Sequence, residues 1–148
     1  MLHKKIFMPT LLIIVFAAGF FVGSTRDPHS GTAYAQGQTR VFELRTYTAH
    51  DGKLGAVVDR FRDHTMKICA KHGMTSVGYW TAEDAPLSQN TLIYVLAHPS
   101  REAAKKNWDE FRNDPEWKQA KSASEASGPI VEKTVSVYMD ATGFSPLK

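Results

Sequence analysis

The chain has 148 residues, 43% apolar and 22% charged, which leaves room for one ordinary globular domain and excludes a disordered polar chain. Its formal net charge is +3, and its single cysteine, Cys69, rules out an intrachain disulfide.

The first element is a leader. Lys4 and Lys5 precede IFMPTLLIIVFAAGFFVG, residues 6–23, a run of 18 residues without a charge, which is the pattern of an export signal or a membrane anchor. Ala33-Tyr34-Ala35 before Gln36 has the small-x-small form of a cleavage site, and cleavage there predicts an exported chain, periplasmic or secreted. That site lies 12 residues beyond Gly23, and the run just reaches the length of a spanning helix, so a retained leader would instead anchor the protein in a membrane through residues 6–23. A solidly apolar run does not fit a mitochondrial transit peptide, and no cysteine sits by the leader to take a lipid. Removing residues 1–35 takes away Lys4, Lys5, Arg26 and Asp27, which leaves 15 basic against 14 acidic residues. No basic stripe with interleaved aromatics remains, which argues against nucleic acid as a partner.

A linker (36–40) leads to the domain, 41–142, with a tail at 143–148. Alternation in VFELRTYT predicts a strand at 41–48, ended by the His50-Asp51-Gly52 turn. Leu54, Val57, Val58, Phe61, Thr65, Ile68 and His72 then recur at helical spacing, and Gly73 closes that amphipathic helix. A strand follows at 74–83, then the loop DAPLSQN, then a strand at 91–99. Ser100 caps a second helix with Ala104, Trp108 and Phe111 on its buried stripe, and Asp114-Pro115 starts a short third one over 116–126. Ser127-Gly128-Pro129 breaks it before a last strand at 130–139. The order βαββαβ is the ferredoxin-like arrangement: α+β, a four-stranded antiparallel sheet with helices on one face, and the last strand beside the first.

One helix layer covers one sheet face. The apolar set Phe42, Leu44, Val135 and Val137 matches the helix stripes, so the set Glu43, Arg45, Tyr47, Glu132, Thr134 and Tyr138 is expected on the opposite face. The strand TLIYVLA is apolar on both faces and needs cover on both, which a second sheet stacked in a two-fold homodimer would supply. The polar set would then line the enclosed space.

Four stretches in order, FELRTYT, FRDHTMKICAKHGM, VGYWTAEDAPLSQ and the DPEW of FRNDPEWK, resemble the NIPSNAP family, over about Val41 to Tyr138. The resemblance implies a dimeric α+β barrel with a ferredoxin-like protomer. It implies no settled reaction; family members are linked to vesicles, mitochondria and protein interaction, and the wider superfamily includes cofactor-independent monooxygenases and haem-binding or haem-degrading enzymes. The leader departs from a mitochondrial or cytoplasmic role.

Arg45 is the leading candidate for catalysis, because a guanidinium can stabilise an oxyanion, with His64 or Tyr47 to move a proton. Glu43 with Arg45 would orient a substrate, or would serve a buried salt bridge such as Arg45 to Glu132. Tyr47, Trp80 and Tyr94 offer an aromatic wall for a flat ligand, joined by Glu132 and Tyr138, or else they are core. His72 suits the helix end, Trp108 and Trp117 suit packing, and Cys69 reads as a small buried hydrophobe. His64 and His72 stand too far apart to share one metal, HExxH is absent, and no metal or dedicated cofactor is predicted; haem, with His64 as ligand, is the lesser variant. Nucleophile elbow, phosphate loop and dinucleotide fingerprint are absent as well. The expected function is a homodimer binding a small apolar or aromatic molecule in the barrel, with cofactor-independent oxygenase chemistry as its catalytic form. The rival is a non-catalytic interaction or scaffold protein, tethered by the leader.

Overall fold

A computed structural model describes residues 40–148, so the leader, the cleavage site and most of the linker lie outside the described residues. The domain runs β1 (Val41–Ala49), α1 (Leu54–Arg60), a π-helical turn (Phe61–Thr65), α2 (Met66–Lys71), β2 (Thr75–Thr81), β3 (Thr91–His98), α3 (Arg101–Asn113), α4 (Pro115–Ser124) and β4 (Val131–Asp140). The strands form one antiparallel sheet in the order β2-β3-β1-β4, which places the first and last strands side by side as the ferredoxin-like reading requires.

The chain punctuation acts as expected. Ser100 Oγ accepts the Ala103 N–H at 3.1 Å, and an Asp114 carboxylate oxygen accepts the Glu116 N–H at 2.7 Å with Pro115 in the first turn of α4. Gly73 takes φ of +71° just past α2, a conformation that strains a residue with a Cβ.

The first helix is not the single regular cylinder that the spacing predicts. The π-helical turn at Phe61–Thr65 inserts extra length between α1 and α2, and the Thr65 hydroxyl donates to the Arg60 carbonyl at 3.2 Å. Its effect is on phase: Phe61, Thr65, Ile68 and Cys69 point inward, Arg60 is buried with them, and His64 is exposed.

The two sheet faces are the reverse of the expected assignment. Helices cover the face of Glu43, Arg45, Tyr47, Leu92, Tyr94 and Leu96: the Tyr47 and Phe61 rings meet edge to face at 5.4 Å, and Arg45 lies over the Trp108 ring. Among the described residues no helix covers the face bearing Phe42, Leu44, Val135 and Val137, and Val135 and Val137 are 44% and 49% exposed. Sequence patterning sends charge to the open side, but here the two charges satisfy one another under the helices.

The core between sheet and helices is aromatic at its centre. Phe61, Tyr79, Tyr94 and Tyr47 form a cluster with centroid separations of 4.9 to 6.0 Å. Phe111 packs between Trp108 and Trp117, which ties α3 to α4.

Candidate functional site

Glu43 is the centre of the site. Its side chain is 1% exposed, and all four of its polar contacts come from the protein. Oε1 accepts from Arg45 Nη1 at 2.7 Å and from Ser136 Oγ at 2.6 Å; Oε2 accepts from Trp108 Nε1 at 2.6 Å and from His98 Nε2 at 3.0 Å. A carboxylate acceptor fixes the His98 tautomer with its proton on Nε2. Burial pushes the Glu43 carboxyl up, but the bonds from His98, Ser136, Trp108 and Arg45 outweigh it and hold the pKa at about 2. Glu43 is therefore a fixed anion, saturated with donors, and no general base.

That anion positions Arg45. The Arg45 guanidinium carbon stands 4.2 Å from the centre of the Trp108 ring and 5.7 Å from that of Tyr47, and its Nε is buried without a hydrogen-bond partner among the described residues. Tyr94, its cross-strand neighbour, likewise has a buried hydroxyl without a partner, and burial raises that hydroxyl's pKa well above the ordinary value. His98 Nδ1 is a third buried atom without a partner.

A cleft of about 470 Å³ opens between α3 and β4, lined by Glu43, Arg45 and Ser136 from the sheet with Arg101, Trp108 and Tyr138. Its size falls in the range of small-molecule sites. The Arg101 guanidinium carbon lies 3.4 Å from the Tyr138 ring centre, forming one wall.

The structure thus brings Glu43, Arg45 and Tyr138 to one cleft, with Tyr47 and Tyr94 on the same sheet face. Trp80 does not join them. A register shift between Ser76 and Gly78 places Tyr79 opposite Tyr94 and turns Trp80 to the open face, where it is 51% exposed. Glu132 lies further along β4, in a separate groove with Tyr47, Arg60 and Trp117, and the partner of Arg45 is Glu43 rather than Glu132. His64 is exposed on the outer surface beside Arg60 and Ala120, lining a groove of about 270 Å³, so the haem reading has its only named ligand outside the cleft. Among the described residues no three His, Cys, Asp or Glu side chains are grouped to hold a metal ion.

Sequence reasoning passed over His98, Trp108, Ser136, Arg101 and Lys105 as site members. The period-two count that sets Tyr94 and Leu96 on one face extends to His98, which was the available signal. Trp108 packs as expected and also donates to Glu43; nothing in its helical spacing announces that bond. His72 sits near its helix end but is held by Asp114, with Nε2 at 2.7 Å from a carboxylate oxygen. Cys69 is buried, and burial pushes its thiol up to about 12.

Sheet order, helix placement and strand pairing define an α+β protomer of the dimeric α+β-barrel type. The chain belongs to the NIPSNAP family, whose family model matches residues 42–146. A NIPSNAP family protein with unknown function from Agrobacterium tumefaciens is 23% identical with a TM-score of 0.65, and the match covers 75% of this chain and 96% of that one. An uncharacterized NIPSNAP-like domain protein from Burkholderia xenovorans is 16% identical with a TM-score of 0.64, covering 74% and 91%. A monooxygenase of Streptomyces coelicolor, solved in complex with nanaomycin D, is 13% identical with a TM-score of 0.53, covering 75% and 95%. At these identities the likeness is one of fold. No match is found among curated proteins.

Proposed function

We propose that the protein is an exported homodimer that binds a small molecule with an apolar or aromatic body in the cleft between α3 and β4. The observation that carries this reading is Arg45, whose guanidinium is fixed on the cleft floor by a buried carboxylate and stacked on Trp108. A charge held in place before a ligand arrives loses little freedom when it binds. Dimerisation through the open sheet face is supported by Val77, Trp80, Val135 and Val137, four large apolar side chains exposed on one surface. The leader at residues 6–23 supports export, or anchorage if it is retained.

Binding comes before catalysis in this reading, because the cleft offers a fixed cation but no poised base. Glu43 is saturated, burial raises the Tyr138 hydroxyl above its ordinary pKa, and His64 is on the outer surface. Oxygenase chemistry of the kind named for the Streptomyces coelicolor neighbour would need a substrate acidic enough to ionise beside Arg45, which would then hold the anion.

The test is native mass spectrometry of the full chain purified from its own host. A dimer with a reproducible added mass, absent from Arg45→Gln, is the expected outcome. An empty dimer in both proteins would turn the reading towards a non-catalytic interaction protein, and a monomer at micromolar concentration would remove the sheet-on-sheet assembly.

A further inference from the structure

Helix α3 places its charges in a way that its own stability does not explain. Arg101 occupies the first helical position after the Ser100 cap, where the helix dipole favours an anion and opposes a cation. Elsewhere on the same helix the cations are neutralised: Lys106 pairs with Glu110 at 2.7 Å, and Arg112 pairs with Asp109. Three cations of α3 border the cleft, and of these Arg112 has its Asp109 partner while Arg101 and Lys105 have no carboxylate within salt-bridge distance among the described residues. Glu102 also borders the cleft as an exposed carboxylate, its pKa lowered by its own backbone N–H first, then by Ser100 and by the Arg101 charge. The carboxylate of Glu43 is already shared among four donors.

The cleft lining therefore carries an excess of positive charge, with Arg45, Arg101, Lys105 and Arg112 set against Glu43, Glu102 and the Asp109 partner of Arg112, and two of the cations lie on aromatic faces. The Arg101 guanidinium lies over Tyr138 and that of Arg45 over Trp108, contacts that hold both cations at the cleft wall and floor. Sequences break local rules of helix charge where a ligand makes the compensating contact.

We infer that the cleft selects an organic acid, a small aromatic body whose carboxylate is received by Arg101 and Lys105 at the start of α3 and whose ring lies towards Arg45. This rests on the cleft being a ligand site and adds the class of ligand to it. The carboxylate completes the charge pattern of the helix: it stands near the positive end of the dipole and meets a guanidinium in the geometry that favours paired hydrogen bonds.

The experiment compares 2-naphthoate with its neutral counterpart 2-naphthamide by isothermal titration calorimetry on the full chain, at low and high salt. The expected result is naphthoate binding about tenfold or more tighter than the amide, the worth of one good charge-assisted contact. Its affinity should fall as salt rises. The double variant Arg101→Gln, Lys105→Gln should lose the preference without a lower melting temperature, since both side chains are exposed and Arg101 opposes the helix dipole. Lys106→Gln, on the same helix but paired with Glu110, should keep it. Equal binding of acid and amide, unchanged in the double variant, would overturn the selection for an acid while leaving the cleft as a ligand site. Failure of both probes to bind would overturn the site together with its selectivity.

Discussion

Glu43 accepts the indole N–H of Trp108 at 2.6 Å, a bond that joins β1 to α3 across 65 residues of chain. Trp108→Phe keeps a ring beneath Arg45 but leaves Oε2 with His98 alone. A hydrogen bond to a charged group contributes about 1.5–3 kcal/mol, so urea unfolding should show a loss of about 2 kcal/mol. An unchanged midpoint would mean that the indole donor is dispensable.

The same carboxylate makes the protein sensitive to acid. Its folded pKa of about 2 lies below the ordinary 4.5, so its stabilisation is complete above about pH 4.5 and is lost as pH falls towards 2. Asp114, held low by Lys71 and His72, contributes in the same direction. Glu43→Gln should lower stability at pH 7 by about 3 kcal/mol or more, because it leaves Arg45 as an uncompensated buried charge. It should also flatten, without abolishing, the fall of melting temperature between pH 5 and 2. A slope equal to that of the wild type would remove Glu43 from the acid response.

The open sheet face predicts an assembly mutant. Val137 is half exposed in the protomer, so Val137→Lys should leave the protomer folded, within about 1 kcal/mol, while placing a charge in the apolar face. Sedimentation velocity should then show a monomer, against the dimer that the proposed assembly predicts for the wild type. A dimer that survives Val137→Lys would move the interface elsewhere.

Cys69 gives a chemical probe of opening. Burial pushes its thiol up to about 12, and the thiolate is the reactive form. Modification by an aromatic disulfide reagent should be slower by orders of magnitude in the native protein than in denaturant. Rapid labelling under native conditions would show that the helix layer opens often enough to expose α2.

The strands, the helix caps and the order that yields the ferredoxin-like fold were legible because each rests on local chemistry: alternation, a Ser or Asp cap, a Gly beyond a helix. The orientation of the sheet was not. Counting polar and apolar positions assigned Glu43 and Arg45 to the side away from the helices, and the count has no means of registering that Trp108, His98 and Ser136 come from distant chain to satisfy the pair. Trp80 was misplaced by a single unpaired residue near Val77, since one bulge inverts all later side chains of a strand. The exposed position of His64 was hidden for a similar reason: the π-helical turn shifts the helical phase, and no residue type in FRDHT marks it. Arg45, Glu43 and Tyr138 were found in spite of the inverted sheet, because period two keeps neighbours together whichever way the sheet turns.

The position of β1 has a consequence for the order in which the domain can be built. Strand β1 is hydrogen-bonded to β3 on one side and β4 on the other, and Ser136, one of the donors to Glu43, is 93 residues further along. A ribosome therefore delivers the central strand first and its last neighbour at the end, so a nascent chain cannot finish the sheet until translation of the domain is nearly over. Closing such distant contacts makes for slow, late folding, and an incomplete chain carries a buried-to-be carboxylate with a donor still unmade. Truncations before β4 leave β1 without one neighbour and Glu43 without one donor, and should be degraded rather than accumulate as folded fragments.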